Sequence, residues 1–444
     1  MALSDQAELK RKTIDADQAA SMVKSDSWLD YGFGAAQPEL FDQALTARIT
    51  KLRDVRIRGC LAMRPRLVIE ADLESRHSTY HSWYFSGLER KMHDRGLCCH
   101  IPMNFGEAPD YYRRFIDVDT AVLKTTPMDE HGFFNFGVSV TYHKAITERA
   151  KTLIIETDES MPYVYGIENG VHISEVDFVI DGGKTEMPEL KNPAATDIDQ
   201  KVAAIIANEI QNGACVQIGI GAMPNAVCEL LAGSSIKDLG VHTEMFVDSL
   251  VDLYESGKVT GAHKRLNRYQ MAYCFAAGSS RMYQFLNRNP ACFAGPVDYT
   301  NLPHHIMQND NAVAICNAAQ IDLLGQACSE TAGLRQISGT GGQLQFIRGA
   351  YASQGGKAFL CLASTYERGG KRVSRIVPRI DESNVVTTPR TDVMYVVTEY
   401  GIVNLKGKSI RERAKALIGI AHPDFREQLE RQAREYGLLT RSIS

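Results

Sequence analysis

Residues 214–233 read ACVQIGIGAMPNAVCELLAG. The apolar run at its start reads as a short buried strand. It breaks on Gly219-Ile220-Gly221-Ala222-Met223-Pro224, and a helix is predicted from there to about Leu231. A strand that turns through glycines into a helix is the building unit of α/β proteins. Glycines at such a turn let backbone N–H groups approach an anionic or bulky ligand at a helix N-terminus. The same residues also suit a plain tight connection, and the stretch alone does not choose.

Working outward, AATDIDQKVAAIIANEIQNGA (194–214) puts Ile198, Val202, Ile205, Ile206 and Ile210 on one helical face, with Gly213 placed to stop the helix. The runs RLVIEADL, TLIIET, DFVIDGG, AVAICNAAQIDL, AFLCLAST and VMYVVTEYGI read as further strands. Another helical stretch is IRERAKALIGIAHPDFREQLERQAREYG. Alternation of this kind predicts an α/β fold with mainly parallel sheets. The polar stretch GGKTEMPELKNPAATD (182–197) carries Pro188 and Pro193 and reads as a linker. It divides the 444 residues into domains at 1–190 and 191–444, both within the ordinary size range.

Composition narrows the function. The chain is 44% hydrophobic and 23% charged with a net charge of −4, and it has no blocks of like charge. Neither nucleic acid nor a membrane surface is expected as a partner. No apolar run reaches membrane-spanning length, and the start of the chain lacks the pattern of a signal or transit peptide, so a cytoplasmic protein is expected. Ten cysteines lie scattered in apolar contexts, which suits buried thiols in a reducing compartment. Cys98-Cys99-His100 lacks a second ligand pair at metal-binding spacing, so no metal is expected.

Several enzyme classes lack their anchors. No Gly-x-Ser-x-Gly elbow and no His-Glu-x-x-His pair occurs. In the glycine turn, Pro224 replaces the third glycine of a dinucleotide fingerprint. In GIVNLKGKS (401–409), five residues separate Gly401 from Gly407, where a nucleotide phosphate loop needs four. LGVHTEMFVDSLVDL (239–253) sets one carboxylate, Glu244, among apolar neighbours. Met245, Leu250, Val251 and Tyr254 read as a helical face ended by Gly257, which places Glu244 in the first helical turn, where the macrodipole favours an anion by ~0.3–1 kcal/mol. Gly341-Gly342 in SGTGGQLQFIRGA is either a plain loop or a presenter of N–H groups to an oxyanion.

In order, VQIGIGAMPNAV, GVHTEMFVDSLVDLYESG, SGTGGQLQFIRGA and VVTTPRTDVMYVVTEYGIVNLKGKSIRERAKALIGIAHPDFREQL resemble the acetyl-CoA hydrolase/transferase family of class I CoA-transferases. TTPMDEHGFFNFGVS and MPYVYGIENGVHIS extend the likeness upstream, and IPMNFGEAPDYYRR is similar to the butyryl-CoA:acetate and 4-hydroxybutyrate CoA-transferases. The resemblance implies two open-sheet α/β domains with helices on both faces, an active site between them, and a homodimer or higher homo-oligomer. It implies a catalytic role for Glu244, a CoA loop at Gly219, Ile220, Gly221, Ala222 and Met223, and CoA contacts at Ala319 and Gly342. Departures from the family pattern fall at Val247-Asp248-Ser249, Cys316-Asn317, Gln320, Gln345 and Ala363, near these residues but not on them.

The implied chemistry suits the residues. An ordinary glutamate is ionised at neutral pH and attacks without a base, which fits the missing triad. No permanently bound cofactor is expected, because coenzyme A serves as substrate and as covalent intermediate. The expected substrates are a short-chain acyl-CoA and a carboxylate. The alternative is an acyl-CoA hydrolase in which water attacks the same intermediate. His242 and Glu399 are read as structural.

Overall fold

The computed structural model describes residues 4–191 and 193–439. The chain divides into two compact units. The first comprises Met1–Lys191 with Glu244–Asp248 and Ala272–Thr300, and the second comprises Asn192–Thr243, Ser249–Met271 and Asn301–Ser444. Two segments that follow the linker in sequence therefore pack with the N-terminal unit, Glu244 among them. The linker itself is tied down. Asp158 accepts the Thr185 N–H at 3.2 Å, and the Tyr283 hydroxyl donates to the Pro188 carbonyl at 2.8 Å.

In the first unit, strands β1 (Trp28–Phe33), β2 (Val55–Cys60), β3 (Ser78–Ser82), β4 (Cys98–His100), β5 (Val118–Thr125), β6 (Ala150–Thr157) and β7 (Phe178–Ile180) form one sheet. Their order is β4-β3-β2-β1-β5-β6-β7, and all neighbours are parallel. The chain builds outward from β1 to β4 and then returns to the other side of β1. The topological switch point, where open α/β sheets bind ligands, therefore lies at the carboxyl ends of β1 and β5.

A buried ion pair fixes the register of β1 on β2. Asp30 and Arg58 face each other across the ladder with Nη2 and the carboxylate 2.8 Å apart. The guanidinium lies 4.3 Å from the Trp28 ring centroid, and the Tyr112 hydroxyl also donates to Asp30. A slipped register would strand one of these charges in the core, at a cost of about 3–5 kcal/mol.

The stretch RLVIEADL is a correction to the sequence reading. Leu67–Glu70 is a helical turn, not a strand. Asp42 accepts the Leu67 N–H at 2.6 Å, and Val68 and Ile69 are buried against the core. Four apolar residues carry no period that separates strand from helix, so the distant carboxylate decides.

In the second unit, β8 (Cys215–Ile218), β9 (Gly240–Val241), β10 (Ala312–Asn317), β11 (Lys357–Cys361), β12 (Tyr395–Thr398) and β13 (Gly401–Asn404) form a sheet ordered β9-β8-β10-β11-β12-β13. Only the β12–β13 pairing is antiparallel. From β8 the chain steps outward to β9 and then returns beyond β8 to β10, so the second switch point lies between β8 and β10. Helices α1 (Asp197–Ala207) and α2 (Ala222–Gly233) pack on each other, whereas α3 (Gln343–Ala352) packs against β10 and β11. Helix α1 starts with a Thr196–Asp199 capping box and ends at Ala207, short of Gly213. Val202 and Ile206 are buried as predicted. The long C-terminal stretch is two helices, Ile410–Gly419 and Pro423–Glu435, because Pro423 can open a helix but not continue one.

His143, in the first unit, is fully buried. Its Nδ1 lies 3.1 Å from the Thr141 hydroxyl, and its Nε2 faces Gly32, where a Cβ would come within 2.7 Å. Burial lowers its pKa from 6.5 to about 3. The unfolded chain therefore binds a proton that the native state refuses, and stability present above pH 6.5 is lost as pH falls from 6.5 toward 3. The His143→Phe variant is expected to lose less stability between pH 7 and pH 5 than the native chain, as read by urea midpoints at the two values.

Candidate active site

Glu244 does not lie in a helix. The helix after it begins at Asp248, and Glu244 immediately precedes a two-residue strand, Met245–Phe246, that pairs in parallel with Phe275–Ala276. The Glu244 carbonyl accepts the N–H groups of Cys274 at 3.1 Å and Phe275 at 3.3 Å, and the Cys274 thiol at 3.1 Å. Met245 is thus a strand residue. The helix buries Leu250 and Val251 as expected, but Tyr254 is 36% exposed and Leu253 is buried in its place. Gly257, with φ +72°, follows the helix end as predicted. The sequence pattern misled because it carries no trace of a pairing thirty residues distant. Asp248 anchors the same segment by accepting the Ser279 N–H at 2.9 Å.

This segment belongs to the first unit, and its partner Phe275 sets its ring against that of Phe33, the last residue of β1, with centroids 4.6 Å apart and the planes tilted by 59°. Glu244 is therefore held beside the carboxyl end of β1, at the first sheet's switch point. Just upstream, in the second unit, the His242 N–H donates to the Val216 carbonyl at 3.1 Å. His242 is 3% exposed.

The other candidates gather at the carboxyl edge of the second sheet. Gly219 follows β8 directly, and Gly221 opens α2 with φ +130° and no side-chain cap. Ile220, Gly221 and Ala222 are half-buried, while Met223 is buried. Ala319 lies just past the end of β10, the neighbouring strand. Its N–H donates to the Cys328 carbonyl at 2.8 Å, and its carbonyl accepts from Arg375 at 2.9 Å. Gly341, with φ +55°, and Gly342 form the turn that opens α3, again without a side-chain cap. That helix runs back to β11, so its N-terminus lies at the carboxyl edge too. Thr340, ahead of the turn, donates to Glu330 at 3.3 Å. Glu399 accepts the N–H and hydroxyl of Ser364 at 2.8 and 2.6 Å, which ties the ends of β11 and β12.

Two uncapped helix N-termini at one sheet edge favour a polyanionic ligand. The Cys274 and Phe275 amides, which hold Glu244, were missed in the sequence. Nothing in AYCFAAG marks them, since their role exists only through the pairing. At Gly221 the backbone occupies a region nearly reserved for glycine, so Gly221→Ala is expected to cost about 1–3 kcal/mol of stability, measured by urea unfolding.

Comparison with known proteins identifies the family. The acetyl-CoA hydrolase/transferase N-terminal domain matches residues 2–189, and the C-terminal domain of the same family matches residues 278–433. A butyryl-CoA:acetate CoA-transferase from Anaerostipes caccae is 46% identical over 444 residues, covering 99% of this chain and 100% of that protein. The 4-hydroxybutyrate coenzyme A transferase of Clostridium kluyveri is 37% identical over 421 residues, 95% of this chain and 96% of its own. The crystal structure of RipA from Yersinia pestis superposes with a TM-score of 0.91 at 38% identity, covering 98% of this chain and 100% of that one. An acetyl-CoA hydrolase from Eremothecium gossypii lies further off, at 25% over 73% of this chain and 68% of that protein. With both of its domains matched, this chain belongs to the acetyl-CoA hydrolase/transferase family.

Proposed function

We propose that the protein is a short-chain acyl-CoA:carboxylate CoA-transferase that moves CoA between butyryl-CoA or 4-hydroxybutyryl-CoA and acetate. The observation that carries this reading is the full-length 46% identity to a butyryl-CoA:acetate CoA-transferase, set against 25% over part of the chain for a hydrolase. The enzyme is read as cytoplasmic and as a homodimer or higher homo-oligomer, on the family resemblance.

Glu244 is the nucleophile in this reading. Its carboxylate attacks the acyl-CoA thioester carbonyl, the C–S bond breaks, and an acyl-glutamyl anhydride and CoA thiolate result. The thiolate then attacks the glutamyl carbonyl, which releases the donor carboxylate and leaves a glutamyl-CoA thioester. Acetate runs the two steps in reverse, so acyl activation is conserved and no ATP is consumed.

Each attack builds an oxyanion. The N–H groups at the Gly341-Gly342 turn, at the uncapped start of α3, are suited to receive it, and one such donor contributes about 3–4 kcal/mol to a tetrahedral transition state. The Gly219–Met223 turn binds CoA through the N-terminus of α2. The pinned Glu244 main chain supports the reading because a nucleophile needs a fixed origin.

Glu244→Ala is expected to lower transfer by about 10⁴-fold or more while CoA binding stays near native. Near-native turnover would remove Glu244 from the mechanism. Incubation with acyl-CoA alone, followed by mass spectrometry, is expected to find CoA on the peptide containing Glu244. Consumption of acyl-CoA is expected to depend on added acetate, and equal rates without acetate would make the enzyme a hydrolase.

A further inference from the structure

Lys264 is a buried lysine that the chemistry above does not use. It is 3% exposed, and its ammonium donates to two main-chain carbonyls, Val241 and Gln270, each at 2.6 Å. The titratable group facing it is the Cys215 thiol, and burial lowers the pKa of Lys264 from 10.5 to about 8. Among the described residues no carboxylate pairs with it; a buried ammonium so placed is costly, and satisfying two carbonyls is a modest return if the contact serves stability alone.

The identity of the two carbonyls is the informative point. Val241 lies three residues before Glu244. Gln270 lies four residues before Cys274, whose N–H and thiol hold the Glu244 carbonyl. The chain leaves the second unit for the first twice in this region, at Thr243–Glu244 and at Met271–Ala272. Within the second unit the two departing segments are joined by Lys264. Within the first they are joined by the pairing of Met245 with Phe275. The lysine stem is also seated closely, because a Cβ on Gly240 would come within 2.6 Å of its Cγ.

We propose that Lys264 is a positioning residue for the nucleophile: its ammonium sets the spacing of the two segments that lead to Glu244 and to its backbone partner Cys274. The proposal rests on the assignment of Glu244 as nucleophile. It predicts a loss in the chemical step and not in CoA binding, since a displacement near 1 Å of a reacting group costs about 10²-fold.

The test compares Lys264→Met, Lys264→Arg and Gly240→Ala, the last of which displaces the lysine stem without removing the ammonium. For each, the number of competent sites is first counted as CoA trapped on Glu244, and turnover is expressed per trapped site. Lys264→Met and Gly240→Ala are expected to lose about tenfold or more in kcat per site, with the Kd for CoA within about threefold of native, and Lys264→Arg to recover part of the loss. A kcat per site within about twofold of native in a folded Lys264→Met overturns the proposal. If that variant does not fold, the same two outcomes in Gly240→Ala decide it. Failure to trap CoA on Glu244 in the native enzyme would instead remove the underlying mechanism, so the two failures are distinguishable.

Discussion

The Glu244 carbonyl receives two amides and a thiol, and the candidate chemistry depends on that one acceptor. A glutamate side chain has several rotatable bonds, and its carboxylate sweeps a wide volume unless its origin is fixed. A two-residue strand supplies little stability by itself. It is secured here by its placement, with Met245 opposite Phe275 and the Phe275 ring against Phe33 at the end of β1. Rigid strand ends position reactive groups better than loops do, because the neighbouring ladder resists displacement. The interrupted course of the first unit, which recovers Glu244–Asp248 and Ala272–Thr300 from later in the chain, is what makes this attachment available.

Each sheet reverses its strand order once, and each reversal carries candidate residues. In the first sheet the reversal falls at β1 and β5, beside Glu244. In the second it falls between β8 and β10, where Gly219 and Ala319 end adjacent strands. The connecting helices leave opposite sides of such a sheet at this point and open a crevice without any special loop. Two helix N-termini without side-chain caps reach the second sheet's edge. Each macrodipole contributes about 0.3–1 kcal/mol toward an anion, whereas a directed N–H on a forming oxyanion contributes several times more. In general such dipoles bear on binding, and amides directed at an oxyanion bear on reaction.

How much of this was legible depended on whether the cause was local. The β8–glycine–α2 unit was readable because an apolar run, a glycine turn and a helical period follow one another without interruption. The two-residue strand at Met245 was not, since its partner lies thirty residues on and its apolar neighbours also satisfy a helical period. Leu67–Glu70 was misread for the same reason, with Asp42 as the distant arbiter. Lys264 sits in GAHKRLN, a polar stretch that suggests an exposed turn. Only the fold shows that its ammonium is buried against two carbonyls. Among the candidate site residues, the glycine turns and the isolated Glu244 drew notice locally but left a plain structural reading open, and their expected roles come from the family resemblance. The backbone partners of Glu244 carry no local mark.

Cys274 raises the question of why a carboxylate and not a thiol would be acylated, since the two groups are neighbours. Burial raises the Cys274 thiol well above its ordinary pKa, and the negative charge of Glu244 raises it further. The thiol therefore stays protonated and donates to the Glu244 carbonyl, where it acts as a structural donor. The energetics of transfer point the same way. Acylation of a thiol would exchange one thioester for another, whereas the proposed cycle needs an enzyme carboxyl that can itself take up CoA as a thioester. In the proposed cycle an anhydride at Glu244 would keep the acyl group activated and let CoA return to the enzyme. A buried thiol held in its protonated form is a weak nucleophile, which supports the proposal that the neighbouring carboxylate and not Cys274 is acylated.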